Sequence, residues 1–538
     1  MKMQHLLLSW WAMASFLIAT PIAQAQNTDF GISRHATPKT EVRGVWLTTL
    51  FGLDWPKNAA STEAGKQRQQ AELRAMLDNL QTAGINTVFF QARIRGDVAY
   101  RSQIEPINAV FSSRIGVDPG YDPLAYVIEE CHKRGMECHA WLVAFPLGSQ
   151  AQQQRMGRYA QSRNRDLPVL QHNGAYYLDP GNPATDDYLS RIVNEIVHNY
   201  NIDGIQFDYF RYPENGTNFP DAATYRQYGQ GMSKADWRRE NLNRILRRLY
   251  AETKARKPYL KVSTCPLGKY ADLPRYSAGG FNARDAVYQD AKQWLREGLQ
   301  DWIVPMLYYR DHYFYPFVLD WLSASFGRPV AAGLGIYFLD PSEGRWSLRD
   351  VEDQLKFCQT NGVGIAFYRA QFFVQNIRGL RDSYVRHYAP HLALLPPMTW
   401  MNSPVPAPPS NLNVAYSGLR THLTWNAPLT QTTFSTIPIA IPQVSPIATP
   451  MPVPTHSSSA AKELYYNIYA SDTWPVDTHN PANLIAVRHT TQSYTYNSPL
   501  HSPFRRYFAI TSYDRYNQES EPRQMPEPHP YGLQALYK

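Results

Sequence analysis

The stretch Asp203-Gly204-Ile205-Gln206-Phe207-Asp208-Tyr209-Phe210-Arg211-Tyr212-Pro213 brings carboxylates, an arginine and aromatic rings close together. Read as a strand, its side chains alternate, so Ile205 and Phe207 take one face and Gln206 and Asp208 the other. With the apolar face against helices, Asp208 is an inward carboxylate at the strand end. There it can act as a nucleophile or base, or it can pair with Arg211 and hold a loop. A second such place is Phe89-Phe90-Gln91-Ala92-Arg93-Ile94-Arg95-Gly96-Asp97. By the same alternation Gln91 and Arg93 face inward, and a buried Arg93 beside Asp208 would keep that carboxylate ionised, as a nucleophile or base requires, with a purely structural partner as the equal alternative. Asp97 is the leading candidate for a second carboxylate and proton donor, with a solvated loop aspartate as the alternative. Paired carboxylates across a linkage between sugars are the machinery of glycoside hydrolysis. Trp46, Trp141, Tyr209, Tyr308, Tyr309 and Tyr368 collect at the ends of other apolar runs, where flat rings can stack on sugars or simply pack a core.

These side chains need a scaffold that gathers strand ends. Eight short, nearly continuous apolar runs, at 43–49, 86–92, 137–145, 203–208, 260–265, 301–308, 329–334 and 363–368, look like parallel strands buried on both faces. Amphipathic stretches at 64–83, 123–134, 184–200, 236–256, 284–298 and 348–359 separate them, and Gly84, Gly135 and Gly362 stand where helices should stop. The pattern predicts an α/β fold, a (β/α)8 TIM-type barrel over residues 41–392, whose active site belongs at the C-terminal strand ends. An open doubly wound sheet is the alternative, but no Gly-rich phosphate turn follows the first run.

The proline-rich stretch 393–410 reads as a stiff linker. Beyond it, strand-like runs at 422–425, 465–470, 493–496 and 507–513 predict a small all-β sandwich over 411–525, interrupted by a Pro/Ser/Thr-rich insertion at 437–459 and followed by a tail, 526–538. Every candidate site residue precedes the linker, so the sandwich is expected to be dispensable for chemistry. At the other end, Lys2, the apolar run 6–22 and Ala23-Gln24-Ala25 have the order of a cleavable export signal, residues 1–25, with a short linker at 26–40. The mature protein is expected in the periplasm or medium. No later run reaches the roughly 20 apolar residues of a spanning helix.

Four cysteines in 538 residues are too few for a disulfide framework, and a net charge of +8 favours anionic surfaces. The basic residues form no nucleic-acid module. Cys131-His132 and Cys138-His139 would point neighbouring side chains apart, which argues against a metal site. Serine-esterase, nucleotide-hydrolase and zincin motifs do not occur.

Several ordered motifs carry a resemblance. At Glu41-Val42-Arg43-Gly44-Val45-Trp46, at Asp203 to Pro213, at Ala235-Asp236-Trp237-Arg238-Arg239-Glu240-Asn241 and from Asp290 through Trp294 and Asp301 to Pro305, the chain resembles the bacterial glycosyl-hydrolase-10-like proteins of the cell envelope. The resemblance implies a barrel that hydrolyses a glycan, with peptidoglycan strands stripped of their peptides as the substrate and no cofactor. It points to Asp208, to Arg93 and Asp97, and to Arg238 and Asn241. Many relatives carry two adjacent acids where this chain has Asp208 followed by Tyr209, which leaves the second carboxylate open. The expected substrate-binding set is Trp46, Gln91, Arg93, Trp141, Tyr209, Arg211, Arg238, Asn241, Tyr309 and Tyr368. The C-terminal runs resemble a fibronectin type III domain. A glycan-binding protein without activity and an esterase or deacetylase on the same polymer are the rival readings.

Overall fold

The computed structural model describes residues 37–149, 151, 167–214, 216–428, 463–498 and 505–527. The expected export signal at 1–25, the insertion at 437–459 and residues 528–538 of the tail lie outside the described residues.

From the N-terminus come β1 (Arg43–Leu47), β2 (Thr87–Arg93), β3 (Glu137–Val143), β4 (Pro146–Ser149), β5 (Val169–His172), β6 (Ala175–Leu178), β7 (Gly204–Asp208), β8 (Lys261–Thr264), β9 (Trp302–Ile303), β10 (Ala331–Leu334) and β11 (Gly364–Phe367). Eight of these form one parallel sheet in the order β10-β11-β1-β2-β3-β7-β8-β9. The ends meet through Ile303 N donating to Pro329 O at 3.1 Å and Gly333 N to Pro305 O at 2.9 Å, so the sheet is a closed barrel. Each of the eight apolar runs coincides with one barrel strand, β2 extending one residue beyond its run. Two glycines permit the closeness: a Cβ on Gly44 would lie 2.8 Å from the Phe89 ring, and one on Gly204 2.4 Å from His139 Nδ1.

Helices form where capping and periodicity agree. Thr62 caps helix Glu63–Thr82, whose Leu73, Leu77 and Leu80 recur on one face and are buried. Each such leucine contributes roughly 1.5–3 kcal/mol by leaving water. Asp122 and Asn182 cap Pro123–His132 and Pro183–Asn199, each with proline in the first turn, and Ser347 and Asp350 form a capping box on Leu348–Thr360. Ser233 caps Lys234–Arg256. The helix expected over 284–298 is two short ones, Ala283–Ala286 and Ala291–Arg296. The reason is local: Asn282 and Asp290 each cap a helix start, and Tyr288 between them takes φ 60°.

The C-terminal strands β12 (Ser410–Ser417), β13 (Arg420–Asn426), β14 (Tyr465–Ser471), β15 (Leu484–His489), β16 (Ser493–Asn497), β17 (Tyr507–Tyr513) and β18 (Arg523–Gln524) make two antiparallel sheets, β12-β13-β16 and β15-β14-β17-β18. Leu423 and Trp425 from the first sheet pack with Tyr466, Ile468, Phe508 and Ile510 from the second. Strand β13 alternates buried and exposed residues, as one solvated face requires, whereas β14 is buried throughout. Its second face, with Tyr465 and Tyr469, joins Leu394, Leu484 and Tyr513 in a further core.

The expected spacer is a correction. Leu394, Leu395 and Met398 are buried, Met398 N donates to Tyr516 O at 2.8 Å, and Trp400 Nε1 donates to Asp301 at 2.8 Å. Residues 394–400 are packed down instead of holding two bodies apart, because their leucines and methionine have an apolar surface to cover, whereas 404–408 stay mostly exposed. The sandwich meets the N-terminal ends of the barrel strands through buried charges. Arg488 donates to Glu137 at 2.8 Å and Asp203 at 2.7 Å, Arg515 reaches Asp203 at 3.2 Å, and Lys261 pairs with Glu137 at 2.6 Å. His132 and His139 serve the same carboxylates, at 2.7 and 2.9 Å. All four cysteines are free and buried. Among the described residues no helix is long and apolar enough to cross a membrane.

Candidate active site

At the C-terminal strand ends, opposite the sandwich, lies a cleft of about 750 Å³. Asp208 ends β7, where register pairs it with Val143, and its side chain lines the cleft as alternation along the strand requires. Trp141 Nε1 donates to its Oδ2 at 3.1 Å and Tyr209 N to its Oδ1 at 2.6 Å. Burial raises the Asp208 pKa above the ordinary carboxylate value, against the pull of the Tyr209 N–H, the Arg211 charge and donors on Cys265 and Trp141. The carboxyl therefore holds its proton to higher pH than a solvated aspartate. Arg93 contributes nothing here, so the ionised nucleophile expected from an Arg93–Asp208 pair is not what the geometry favours.

The cause is a β-bulge. Register between β2 and β3 passes from Gln91 opposite Trp141 to Arg93 opposite Leu142, leaving Ala92 as the extra residue and shifting the alternation. Arg93 turns to the helix layer, where Glu105 accepts from it at 2.8 and 2.6 Å and also from Tyr188 OH. It is a structural ion pair, fully buried. Gln91 stays on the cleft side and accepts from Thr48 Oγ1 (2.6 Å), Thr49 N (3.0 Å) and Leu50 N (2.9 Å), fixing the loop after β1.

The cleft floor is aromatic. Trp46 donates from Nε1 to Gln206 and meets Tyr368 edge-on with ring centres 6.1 Å apart, and Tyr308 stacks on Tyr368 at 5.5 Å. Tyr209 is 43% exposed beside Asp208, with φ 47° in the left-handed region, and Arg211 lies over its ring at 4.7 Å. Arg211 is buried, its Nε has no hydrogen-bond partner among the described residues, and its Nη2 reaches Glu214 at 3.4 Å. The Glu214 side chain is largely exposed, and its charge acts on Tyr177, Tyr209 and Tyr309.

Other expected site residues lie elsewhere. Asp97 lines an adjoining cavity of about 740 Å³, not the cleft of Asp208. Asn108 donates to it at 2.7 Å, and burial raises its pKa to about 6. Arg238 is bound by Asp221 at 2.8 Å through two nitrogens, reaches Tyr288 OH at 3.0 Å and lies between the rings of Tyr212 and Tyr288. Asn241 donates to Tyr212 OH at 3.1 Å and accepts from Arg244 at 2.8 Å. Both brace the loop after β7 from behind, and neither is among the described residues that line the cleft. Tyr309 packs under Lys269, 4.4 Å from its ring centre, and Tyr308 occupies the cleft in its place.

Unanticipated lining residues are Phe51, Arg95, Tyr177, Cys265 and Met306. Tyr177 comes from β6, in the small antiparallel sheet β4-β6-β5 that rises after β3. A signal existed: Asn173-Gly174 separates the two strands, with φ 47° and 76°, the two-residue turn that this dipeptide favours.

The profile of the family described as Glycosyl hydrolase-like 10 matches residues 41–325. The chain is 36% identical over 290 residues to Glycosyl hydrolase DigH of Escherichia coli (strain K12), a match spanning 50% of this chain and 65% of DigH. It is 30% identical over 420 residues to Glycosyl hydrolase YngK of Bacillus subtilis (strain 168), spanning 74% of this chain and 79% of YngK. Among solved structures, the PgaB (BpsB) glycoside hydrolase domain from Bordetella bronchiseptica superposes with a TM-score of 0.46 at 14% identity, over 65% of this chain and 99% of that one.

Proposed function

Since the chain belongs to the glycosyl hydrolase-like 10 family, we propose that it hydrolyses glycosidic bonds of a cell-envelope polysaccharide, with peptide-free peptidoglycan strands as the substrate. The observation that carries the reading is Asp208, a buried carboxyl with a raised pKa on the floor of an aromatic cleft. A carboxyl whose pKa burial raises suits a proton donor to the leaving oxygen. Asp208 then protonates the glycosidic oxygen while the C–O bond to the anomeric carbon breaks. Water adds to that carbon and gives its proton to a second carboxylate. Glu214 is our candidate for that role: it stands outside the cleft lining but pairs with Arg211, which covers the cleft residue Tyr209, whereas Asp97 faces another cavity. Tyr209, Tyr308 and Tyr368 offer ring surface to the sugars, above the buried rings of Trp46 and Trp141. The export-signal pattern of residues 1–25 supports work outside the cytoplasm.

One observation favours a second reading, a glycan-binding protein without turnover: among the described residues lining the cleft, Asp208 is the one carboxylate. Incubating the full chain with peptide-free peptidoglycan strands and assaying new reducing ends by mass spectrometry separates the two. Fragments that disappear with Asp208→Asn support hydrolysis; saturable binding with intact strands at every pH supports the second reading.

A further inference from the structure

The cavity beside the cleft has no role in the mechanism above. Leu50, Phe51, Ile94 and Arg95 line both spaces, so the two form one trough across the barrel mouth. Phe51 is 71% exposed and stands in the left-handed region at φ 54°, an unusual presentation of a large ring to solvent. The Arg95 guanidinium lies 5.9 Å from the centre of that ring. Arg95 is half-buried, pairs with no carboxylate among the described residues, and its charge reaches Tyr177 and Tyr209 at the Asp208 end. Exposed Arg114 lines the far cavity. Asp97 also faces that cavity, but it is held by Asn108 and by the Arg95 N–H, which leaves the Arg95 and Arg114 side as the place for an anion.

We propose that this cavity is a subsite for a carboxylate-bearing sugar residue, next to the unit cleaved at Asp208. Arg95 donates two parallel N–H bonds to the carboxylate, which its planar fork fits, and Phe51 covers a face of the sugar ring. The inference rests on the glycan-hydrolase reading and adds what the strand must carry. Two common glycan groups supply the chemistry, the lactyl ether of a muramic residue and the C6 carboxylate of a uronate.

The test is binding of the full chain, measured apart from cleavage. Wild type, Arg95→Ala, Arg95→Lys and Phe51→Ala are titrated with peptide-free peptidoglycan strands, with the same strands after reduction of their carboxyls to alcohols, and with a polyuronate. Reduction is expected to weaken wild-type binding about 10- to 100-fold, the range for charge-assisted hydrogen bonds. It should leave Arg95→Ala unchanged, with Arg95→Lys between them and melting temperatures close to wild type. Binding of the muramic strand alone identifies the lactyl group, and binding of the polyuronate alone identifies the uronate. Equal loss on reduction in wild type and Arg95→Ala, or no loss in either, overturns the proposal. Carboxylate-dependent binding without products would sink the hydrolase reading while keeping the subsite. Products formed with no carboxylate dependence would do the reverse.

Discussion

Replacing Arg488 by methionine removes the charge by which the sandwich holds the barrel while keeping an apolar stem of similar reach. Arg488 is 4% exposed and bonds Glu137 at 2.8 Å and Asp203 at 2.7 Å. Breaking a buried pair from one side costs about 3–5 kcal/mol when the partner is left alone. Here Lys261, His132 and Arg515 remain on the two carboxylates, so about 2–4 kcal/mol is the reasoned loss. At about 2.1 cal/mol per kelvin per residue, a chain of this size unfolds with roughly 1 kcal/mol per kelvin, so the melting temperature should fall by about 2–4 °C at pH 7. The deficit should also depend on pH. Burial pushes Glu137 up, but the charges of Lys261 and Arg488 and the bond from His139 overcome it and hold the carboxyl at about 2, against an ordinary 4.5; Asp203 is likewise held low. A carboxyl depressed in the fold stabilises above its unfolded value, and that stability is lost as pH falls from about 4.5 toward about 2. Protonation removes the anions that Arg488 serves, so wild type and variant should converge over that window. Scanning calorimetry at pH 7, 5, 4 and 3 checks this. A variant that melts with wild type at pH 7, or a gap that is the same at pH 3 as at pH 7, would refute the account of the interface.

Ending the chain after Leu395 should expose the Leu394 core and leave Glu137 and Asp203 without Arg488 and Arg515, so such a truncation should be largely insoluble; a soluble, fully active one would contradict the docking. Asp97→Asn should keep turnover within a few-fold of wild type. Because the Asp97 pKa is raised to about 6, its ionisation destabilises the fold as pH rises from about 4 to 6, so the variant should gain melting temperature on wild type over that range. A parallel pH dependence would argue against this. Tyr209→Asn should relieve left-handed strain by up to about 1 kcal/mol yet raise KM, since the exposed ring is lost; an unchanged KM would remove Tyr209 from the substrate surface.

The barrel was legible because all eight strands are buried on both faces and leave continuous apolar runs such as 86–92, and because caps like Ser347 mark helix starts. Asp208 was legible for the same reason: alternation from Ile205 to Phe207 fixes its face. The bulge at Ala92 was not, since one extra residue reverses the side of Arg93 without a compositional mark. Arg238 and Asn241 stand in a matching motif, but a motif can mark the loop support behind a site as well as the site. The hairpin bearing Tyr177 was signalled by Asn173-Gly174 and hidden by the length of the insertion around it. The docking of the sandwich depends on charges 285 residues apart in Arg488 and Asp203, which no local pattern pairs.

The central claim, that Asp208 is the proton donor of a glycosidase, is tested most directly with Asp208→Asn on two kinds of substrate. On native peptide-free strands turnover should fall by about 10²- to 10⁴-fold, the usual loss of a positioned acid. On an aryl glycoside of the same sugars, whose dinitrophenolate leaves without a proton, the loss should be small, with the melting temperature and strand affinity close to wild type. Equal loss on both substrates would contradict proton donation and return Asp208 to the role of nucleophile or base, and undiminished turnover on native strands would remove it from the reaction.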